Sequence, residues 1–183
     1  YVTSRPDIDK GRIGFTGCSG GGTLTSYAMA LDERVACAAP ACYLTTFRRL
    51  IETIGPQDAE QNIFGQVKLG LDQPDYVLLR APRPTLISSS TGDFFDIGGS
   101  WDNYRQAKRI YARLGYPERV DLVEAEGGHG VQPANLLAIT RWMRRWLLGK
   151  DDAVTIEPIT ARTVEELQCT PKGQVLLLPG ERS

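Results

Sequence analysis

Histidine is the rarest residue in this chain of 183 residues: there is one, together with four cysteines that never occur in Cys-x-x-Cys spacing. Because structural zinc sites are built from several cysteines and histidines at short spacings, we expect no metal. Neither sign of charge dominates, since 21 Lys and Arg stand against 22 Asp and Glu, a formal net charge of -1. We therefore expect no nucleic-acid partner, because surfaces that bind nucleic acid broadly are strongly basic.

A long apolar segment is also missing. The longest nearly uninterrupted apolar stretch, residues 35–44, is about half as long as a membrane-spanning helix and contains Pro40. No membrane-spanning segment is therefore expected. The chain begins with Tyr1 and carries no leader sequence, and we expect it to be a piece of a longer protein.

The composition is that of a globular domain. Hydrophobic residues make up 42% and charged residues 23% of the chain, which excludes disorder as its overall state. A chain of this length can bury about 70% of its unfolded surface by itself. The even number of cysteines leaves a disulfide open, with Cys37 and Cys42 as the nearest pair, beside the interpretation of the cysteines as small buried residues.

Short apolar runs alternate with helical patterns along most of the chain. The runs typical of strands are residues 12–16, 35–43, 84–90 and 120–124. The segments with helical spacing are residues 22–31, 101–114 and 134–148. Ser100 is the expected cap of the middle helix, and Gly115 and Gly149 close the last two helices. This alternation predicts an α/β fold with a mostly parallel sheet and flanking helices.

Two regions depart from this rhythm. Residues 45–81 form a long excursion between the second and third strands, with helical stretches predicted at 47–53, 59–64 and 75–79, and such excursions often cover a site. Residues 151–183 mix Thr, Glu and Pro and have the character of a linker or the start of a further region. We therefore expect one catalytic unit over residues 1–150, followed by that linker.

The segment Gly17-Cys18-Ser19-Gly20-Gly21 satisfies Gly-x-Ser-x-Gly between a predicted strand and a predicted helix. In that context the pattern indicates a nucleophilic serine on a strained turn, with flanking glycines because a side chain would collide there. The amide of Gly20 would donate to an oxyanion at the helix N-terminus. A packing turn or a phosphate-binding loop is the alternative, although Ser19 stands where the phosphate-binding pattern requires glycine. Cys18 is the weaker nucleophile candidate. If the pattern were centred on Cys18, the β-branched Thr16 would occupy the first position, where the pattern requires a small residue.

A serine needs a base, and His129 is the one histidine available. It lies in the glycine-rich loop at residues 126–130, after the fourth strand, where a loop can bring an imidazole to the serine. The third member should be a carboxylate after the third strand, and Asp93 is preferred to Asp96 because it is closer to the strand end. The order Ser19, Asp93, His129 is that of α/β-hydrolases.

The sequence resembles bacterial acetyl-xylan-esterase-like α/β-hydrolases over roughly residues 5–148. The matching segments are residues 12–23, 55–62, 91–98 and 126–130. The resemblance implies ester hydrolysis of acetylated xylan or related carbohydrate esters, with Ser19, Asp93 and His129 as the catalytic triad, no cofactor, and an extracytoplasmic location. Whether Phe94, Phe95 and Trp101 line the substrate pocket or pack in the core is left open.

The same resemblance implies that this chain is the C-terminal half of the catalytic domain. Members carry an eight-stranded sheet, whose first half and second oxyanion donor precede the nucleophile strand. We expect the parent chain to supply that half, and the strand at residues 12–16 to be an exposed edge without it. Glucuronoyl esterases share the Gly-Cys-Ser elbow but follow it with arginine, where this chain has Gly20. A prolyl-oligopeptidase-like peptidase and a non-catalytic interaction module also stay open as interpretations of the sequence.

Overall fold

The computed structural model describes residues 1–53, 57–157 and 160–181. The strands among these residues form one four-stranded sheet. The strands are β1 (Ile13–Cys18), β2 (Val35–Ala41), β3 (Thr85–Ser90) and β4 (Val120–Ala125). They lie in the order β1-β2-β3-β4, and each neighbouring pair is parallel. The predicted parallel α/β sheet is confirmed, and the carboxyl ends of all four strands meet at one edge of the sheet.

The described part of the chain contains six α-helices, and all but the last pack on the two faces of this sheet. They are α1 (Gly20–Leu31), α2 (Phe47–Thr53), α3 (Gln73–Leu79), α4 (Ile97–Arg113), α5 (Pro133–Leu148) and the short α6 (Val164–Leu167). Helices α1, α3 and α4 contribute to the larger hydrophobic cluster, which includes Met29, Val77 and Tyr111. Helix α5 covers the other face with Ile139 and Trp142.

The apolar sequence of β2 fits a sheet that is covered by helices on both faces. Alternate residues of it enter different clusters: Ala38 belongs to the larger one, and Cys37 and Ala39 to the smaller one. Its continuous apolar run therefore has no solvent face, as is usual for parallel strands between helical layers. The small side chains of this strand allow helices to approach closely from both sides.

The start of α4 differs from the prediction. The helix begins at Ile97, and its N-cap is Asp96, whose side chain accepts a hydrogen bond from the Gly99 amide at 3.0 Å. Ser100 is not the cap: it is fully buried, and its hydroxyl donates to the Leu44 carbonyl at 2.7 Å. Tertiary contact overrides the poor helix propensity of the glycines here, because a Cβ at Gly99 would collide with Thr45 Oγ1.

Within the excursion, the prediction of a helix at 59–64 is wrong. The chain forms a single 3-10 turn there, at Ala59–Gln61. Two neighbouring predictions hold, since α2 spans 47–53 and α3 covers the predicted 75–79. Asn62 ends the turn by donating its side-chain amide to the backbone carbonyls of Gln57 and Asp58.

Strand β1 forms one edge of the described sheet. Its residues Gly14, Phe15 and Thr16 are exposed. Beyond α5, residues 160–181 are almost entirely exposed, with α6 and a 3-10 turn at Val175–Leu177 as their regular structure. The linker assignment for 151–183 stays a prediction. None of the described helices has the length and apolar character needed to cross a membrane.

Candidate active site

The turn that follows β1 holds Ser19 in a strained conformation, with φ 59° and ψ −120°. Non-glycine residues rarely adopt such angles, and such angles persist only where the surrounding structure enforces them. The backbone around Ser19 is tightly packed: a Cβ at Gly17 would lie 2.5 Å from the Gly21 carbonyl oxygen, and a Cβ at Gly22 would collide with the Ala41 carbonyl oxygen. Gly21, in contrast, has open space, so the second glycine that the turn requires is Gly22.

The Ser19 backbone is tied to the neighbouring strand. Its amide donates to the Ala41 carbonyl at 3.0 Å, at the end of β2. Gly20 then begins α1, where the first amides of a helix have no partner within the helix. The structure thus places the predicted oxyanion donor at the positive end of the helix, next to the predicted nucleophile.

Asp93 and His129 are in direct contact. The Asp93 Oδ1 to His129 Nδ1 distance is 2.9 Å, and Oδ1 also accepts from the Phe95 amide at 3.0 Å. The Asp93 side chain is 1% exposed and the His129 side chain 27% exposed. Asp96 is engaged elsewhere, as the cap of α4 and at 3.7 Å from the Arg49 guanidinium.

Hydrogen bonds from the ends of neighbouring strands hold the loop that carries His129. The Gly130 carbonyl accepts from Ser90 Oγ at 3.1 Å and from Cys42 Sγ at 3.2 Å. On its other side, the Gly127 carbonyl accepts from the Gly92 amide at 2.8 Å. These contacts anchor both flanks of the histidine to the carboxyl ends of β2 and β3.

Asn135 supports the same loop from α5. It is fully buried, its amide nitrogen donates to the Ser89 carbonyl at 3.0 Å, and its oxygen accepts from the Gln132 amide at 3.0 Å. A buried asparagine with both ends paired fixes the geometry of the groups it joins. The start of α5 is thereby held against the end of β3.

Cys42 is a residue of the site that the sequence pattern did not single out. It follows β2 with a positive φ of 52°, it is buried, and burial raises the pKa of its thiol to about 12. Its sulfur, a carboxylate oxygen of Asp93 and a ring nitrogen of His129 all lie within 4.8 Å of one another. The sequence signal that could have identified Cys42 is its position directly after an apolar strand, where the ends of parallel strands form the site.

Ser19 is brought to the same place through the backbone. Among the hydrogen bonds of the described residues, none joins Ser19 Oγ to the His129 ring. Ala41 accepts the Ser19 amide, and the next residue, Cys42, lies beside His129. The serine turn and the Asp93–His129 pair thus lie at the same carboxyl edge of the sheet.

The three aromatic residues of the predicted pocket have different surroundings. Phe94 is 46% exposed and stacks on His129 with ring centroids 4.1 Å apart. Phe95 is 3% exposed and belongs to the core. Trp101 donates its indole nitrogen to Glu124 at 2.7 Å. Phe94 is therefore the exposed aromatic side chain beside His129, whereas the buried Phe95 ring lies 5.8 Å from the His129 ring.

Glu60 is a second residue that the sequence pattern did not single out. An added Cβ at Gly20 would lie 3.1 Å from Glu60 Oε1, so a carboxylate stands beside the predicted oxyanion donor. The Glu60 backbone carbonyl is held by the Tyr27 hydroxyl of α1 at 3.3 Å. Of the matching segment 55–62, residues 55 and 56 lie outside the described part of the chain.

Comparisons with known proteins agree with the resemblance found in the sequence. The family model of acetyl xylan esterase matches residues 1–73. A putative hydrolase of Bacillus subtilis, YtaP, is 26% identical over 152 residues, which are 80% of this chain and 50% of that protein. The resemblance to this group of hydrolases is confirmed.

Solved structures agree on the fold. A family 15 carbohydrate esterase, a glucuronoyl esterase from Caldicellulosiruptor kristjansonii, superimposes with a TM-score of 0.66 at 21% identity, over 86% of this chain and 50% of that chain. The methylesterase BT1017 gives 0.64 at 29% identity, over 85% and 35%. The fold is that of the α/β-hydrolases, and the chain spans about half the length of the first relatives it matches.

Proposed function

We propose that this chain is the C-terminal part of a serine carboxylic-ester hydrolase that removes acetyl groups from xylan or related carbohydrate esters. The observation that carries the proposal is the 2.9 Å contact between Asp93 and His129, at the sheet edge where Ser19 adopts its strained turn. The acetyl xylan esterase match over residues 1–73 supports the substrate class.

The residues have distinct roles in this mechanism. His129 removes the proton of the Ser19 hydroxyl as its oxygen attacks the ester carbonyl, and Asp93 holds the imidazole through Nδ1 and stabilises the imidazolium that forms. The Gly20 amide donates to the oxyanion. His129 returns the proton to the leaving alcohol, and water then hydrolyses the acyl-enzyme by the same steps. The proton transfers use the Ser19 and His129 side chains and water, and the oxyanion is bound by a backbone amide.

The exposed edge at β1 supports a further part of the proposal. The parent chain supplies the preceding half of the sheet, which pairs with β1 and brings the second oxyanion donor. Loss of one such donor costs about 10²–10³ in rate. The catalytic unit is assigned to residues 1–150, and residues 151–183 to a linker or the start of a further region.

Hydrolysis of uronate esters is the second candidate function, because the solved relatives are named as glucuronoyl esterases and a methylesterase. The surroundings of Gly20 argue against it. Where the glucuronoyl esterases carry arginine after the serine, this chain has glycine with the Glu60 carboxylate beside it. The charge at that position is therefore reversed.

The test is Ser19→Ala in the parent protein, assayed with an aryl acetate. We expect turnover to fall by about 10⁴–10⁶, because the nucleophile acts as a unit with its base. Retention of most of the activity would show that Ser19 is not the nucleophile. Reaction of the unaltered protein with a fluorophosphonate separates an assembled triad from a non-catalytic module. Aminoacyl amides and glucuronoyl esters, assayed beside acetyl esters, separate a peptidase and a uronate esterase from an acetyl esterase.

A further inference from the structure

We propose that Cys42, Asp93 and His129 form a binding site for a divalent transition-metal ion such as Zn²⁺, and that the ion inhibits the enzyme when bound. The three residues come from the end of β2 and from the loops after β3 and β4, and the fold brings their donor atoms within 4.8 Å of one another. Binding itself does not depend on the proposed esterase function.

The donor set suits zinc in both chemistry and size. Thiolate, imidazole and carboxylate are the three ligand types that zinc takes in proteins. Metal–ligand distances of about 2.0–2.3 Å place neighbouring ligands of a tetrahedral site about 3.3–3.7 Å apart. Donor atoms up to 4.8 Å apart would approach by up to about 1.5 Å, and the 2.9 Å hydrogen bond between Asp93 Oδ1 and His129 Nδ1 would open to admit the ion.

The second oxygen of Asp93 points independently to a ligand. Oδ2 is buried and has no hydrogen-bond partner among the described residues, while Oδ1 is occupied by His129 and the Phe95 amide. The side chain is 1% exposed, so bulk water does not satisfy this atom. A buried, unpaired carboxylate oxygen is costly, and a cation bound there would remove that cost.

The movement falls on side chains, because hydrogen bonds to the Gly127 and Gly130 carbonyls hold the backbone on both sides of His129. Gly127 and Gly130 flank the histidine with φ of 142° and 139°, angles that other residues rarely adopt. Cys42 has a positive φ, and its thiol donates to the Gly130 carbonyl, next to the histidine. A rotation of the partly exposed imidazole about its own side-chain bonds would close the site around an ion.

Coordination would block catalysis for a definite reason. The metal–sulfur bond replaces the Cys42 S–H bond, and that proton passes to the buffer. Metal binding at Nδ1 moves the imidazole proton of His129 from Nδ1 to Nε2, with no net change in proton number. Nε2 then carries a proton and cannot accept the one from Ser19.

The experiment measures metal binding first and activity second. Metal-free protein is titrated with Zn²⁺ against a chromogenic chelator, with Cys42→Ser as the test variant, because serine keeps a donor for the Gly130 carbonyl. Cys169→Ser is the matched control, since Cys169 is an exposed thiol outside the site. We expect Cys42→Ser to bind Zn²⁺ at least about tenfold more weakly, the smallest loss usual for disturbed metal sites. Cys169→Ser should bind as the unaltered protein does.

Activity is compared as the ratio of aryl acetate hydrolysis with and without Zn²⁺ for each protein. We expect inhibition in the unaltered protein and in Cys169→Ser, and a ratio near one in Cys42→Ser at the same concentration. Equal binding by both variants, or no binding at micromolar Zn²⁺, would overturn the proposal. An inactive protein that still loses Zn²⁺ affinity on Cys42→Ser would overturn the esterase proposal alone.

A spectroscopic arm keeps the proposal testable if Cys42→Ser does not fold. Co²⁺ added to the unaltered protein should produce a thiolate-to-metal charge-transfer band. The ion should also protect Cys42 from alkylation after partial unfolding, while Cys169 reacts at an unchanged rate. Absence of the band would count against Cys42 as a ligand.

Discussion

Replacement of Asp93 by asparagine tests the candidate site most sharply, because Asp96 provides a matched control three residues away. Asp93 is almost fully buried and contacts His129 Nδ1 at 2.9 Å. An asparagine there can present its amide to Nδ1 and favour the tautomer in which Nε2 carries the proton, so the imidazole no longer accepts the serine proton. In a triad of this type the loss is about 10⁴ in kcat, or about 5 kcal/mol of transition-state stabilisation.

Asp96→Asn should have a small effect. Asparagine caps helices as well as aspartate does, and its side-chain oxygen can still accept from the Gly99 amide. The contact with Arg49 at 3.7 Å is lost, and such partly exposed ion pairs contribute up to about 1 kcal/mol. We therefore expect activity within about twofold of the unaltered enzyme and a slightly lower melting temperature.

Both variants are assayed with an aryl acetate at saturating substrate, and both are checked by thermal unfolding. The reasoning is refuted if Asp93→Asn keeps more than a tenth of the activity, or if Asp96→Asn loses more than Asp93→Asn does. A fall in activity that tracks a fall in melting temperature for Asp93→Asn would instead point to a structural role for this carboxylate.

Two further predictions concern the scaffold of the site. Gly22→Ala should destabilise the protein by about 1–3 kcal/mol, because its Cβ would collide with the Ala41 carbonyl oxygen. Gly21→Ala meets open space and should be neutral or slightly stabilising. Urea unfolding of the two variants checks this prediction, and equal midpoints would contradict it. Asn135→Ala should lower the free energy of unfolding by about 2–4 kcal/mol, because the buried Ser89 carbonyl and the partly buried Gln132 amide lose their partners. A loss below about 1 kcal/mol on thermal denaturation would show that water replaces the amide.

Local patterns predicted the strands and most helices because the spacing of apolar residues within a short segment records which of its faces become buried, even though the strands pair with distant segments. The apolar run of β2 and the Gly149 helix end of α5 are examples, and both appear where expected. The start of α4 was missed because its glycines disfavour a helix, and only the lack of space beside Thr45 explains why they occur there. The predicted helix at 59–64 failed because a single turn there is held by side-chain contacts.

The candidate site also has features that the sequence predicted and features that only the fold shows. The serine turn, the lone histidine and two possible carboxylates follow from residue type and order along the chain. The sequence preferred Asp93 to Asp96 only by its distance from the strand end, and the fold shows that Asp93 contacts His129 while Asp96 caps α4.

Sequence alone determined the order of elements and the chemistry available to them, because periodicity, glycines and reactive side chains are properties of short segments. Tertiary structure alone decided which groups meet: Cys42 and Asp93 next to His129, and Glu60 beside Gly20. Those neighbours are tens of residues apart in the chain. Their meeting depends on how parallel strands align at one edge of the sheet, which no local pattern specifies.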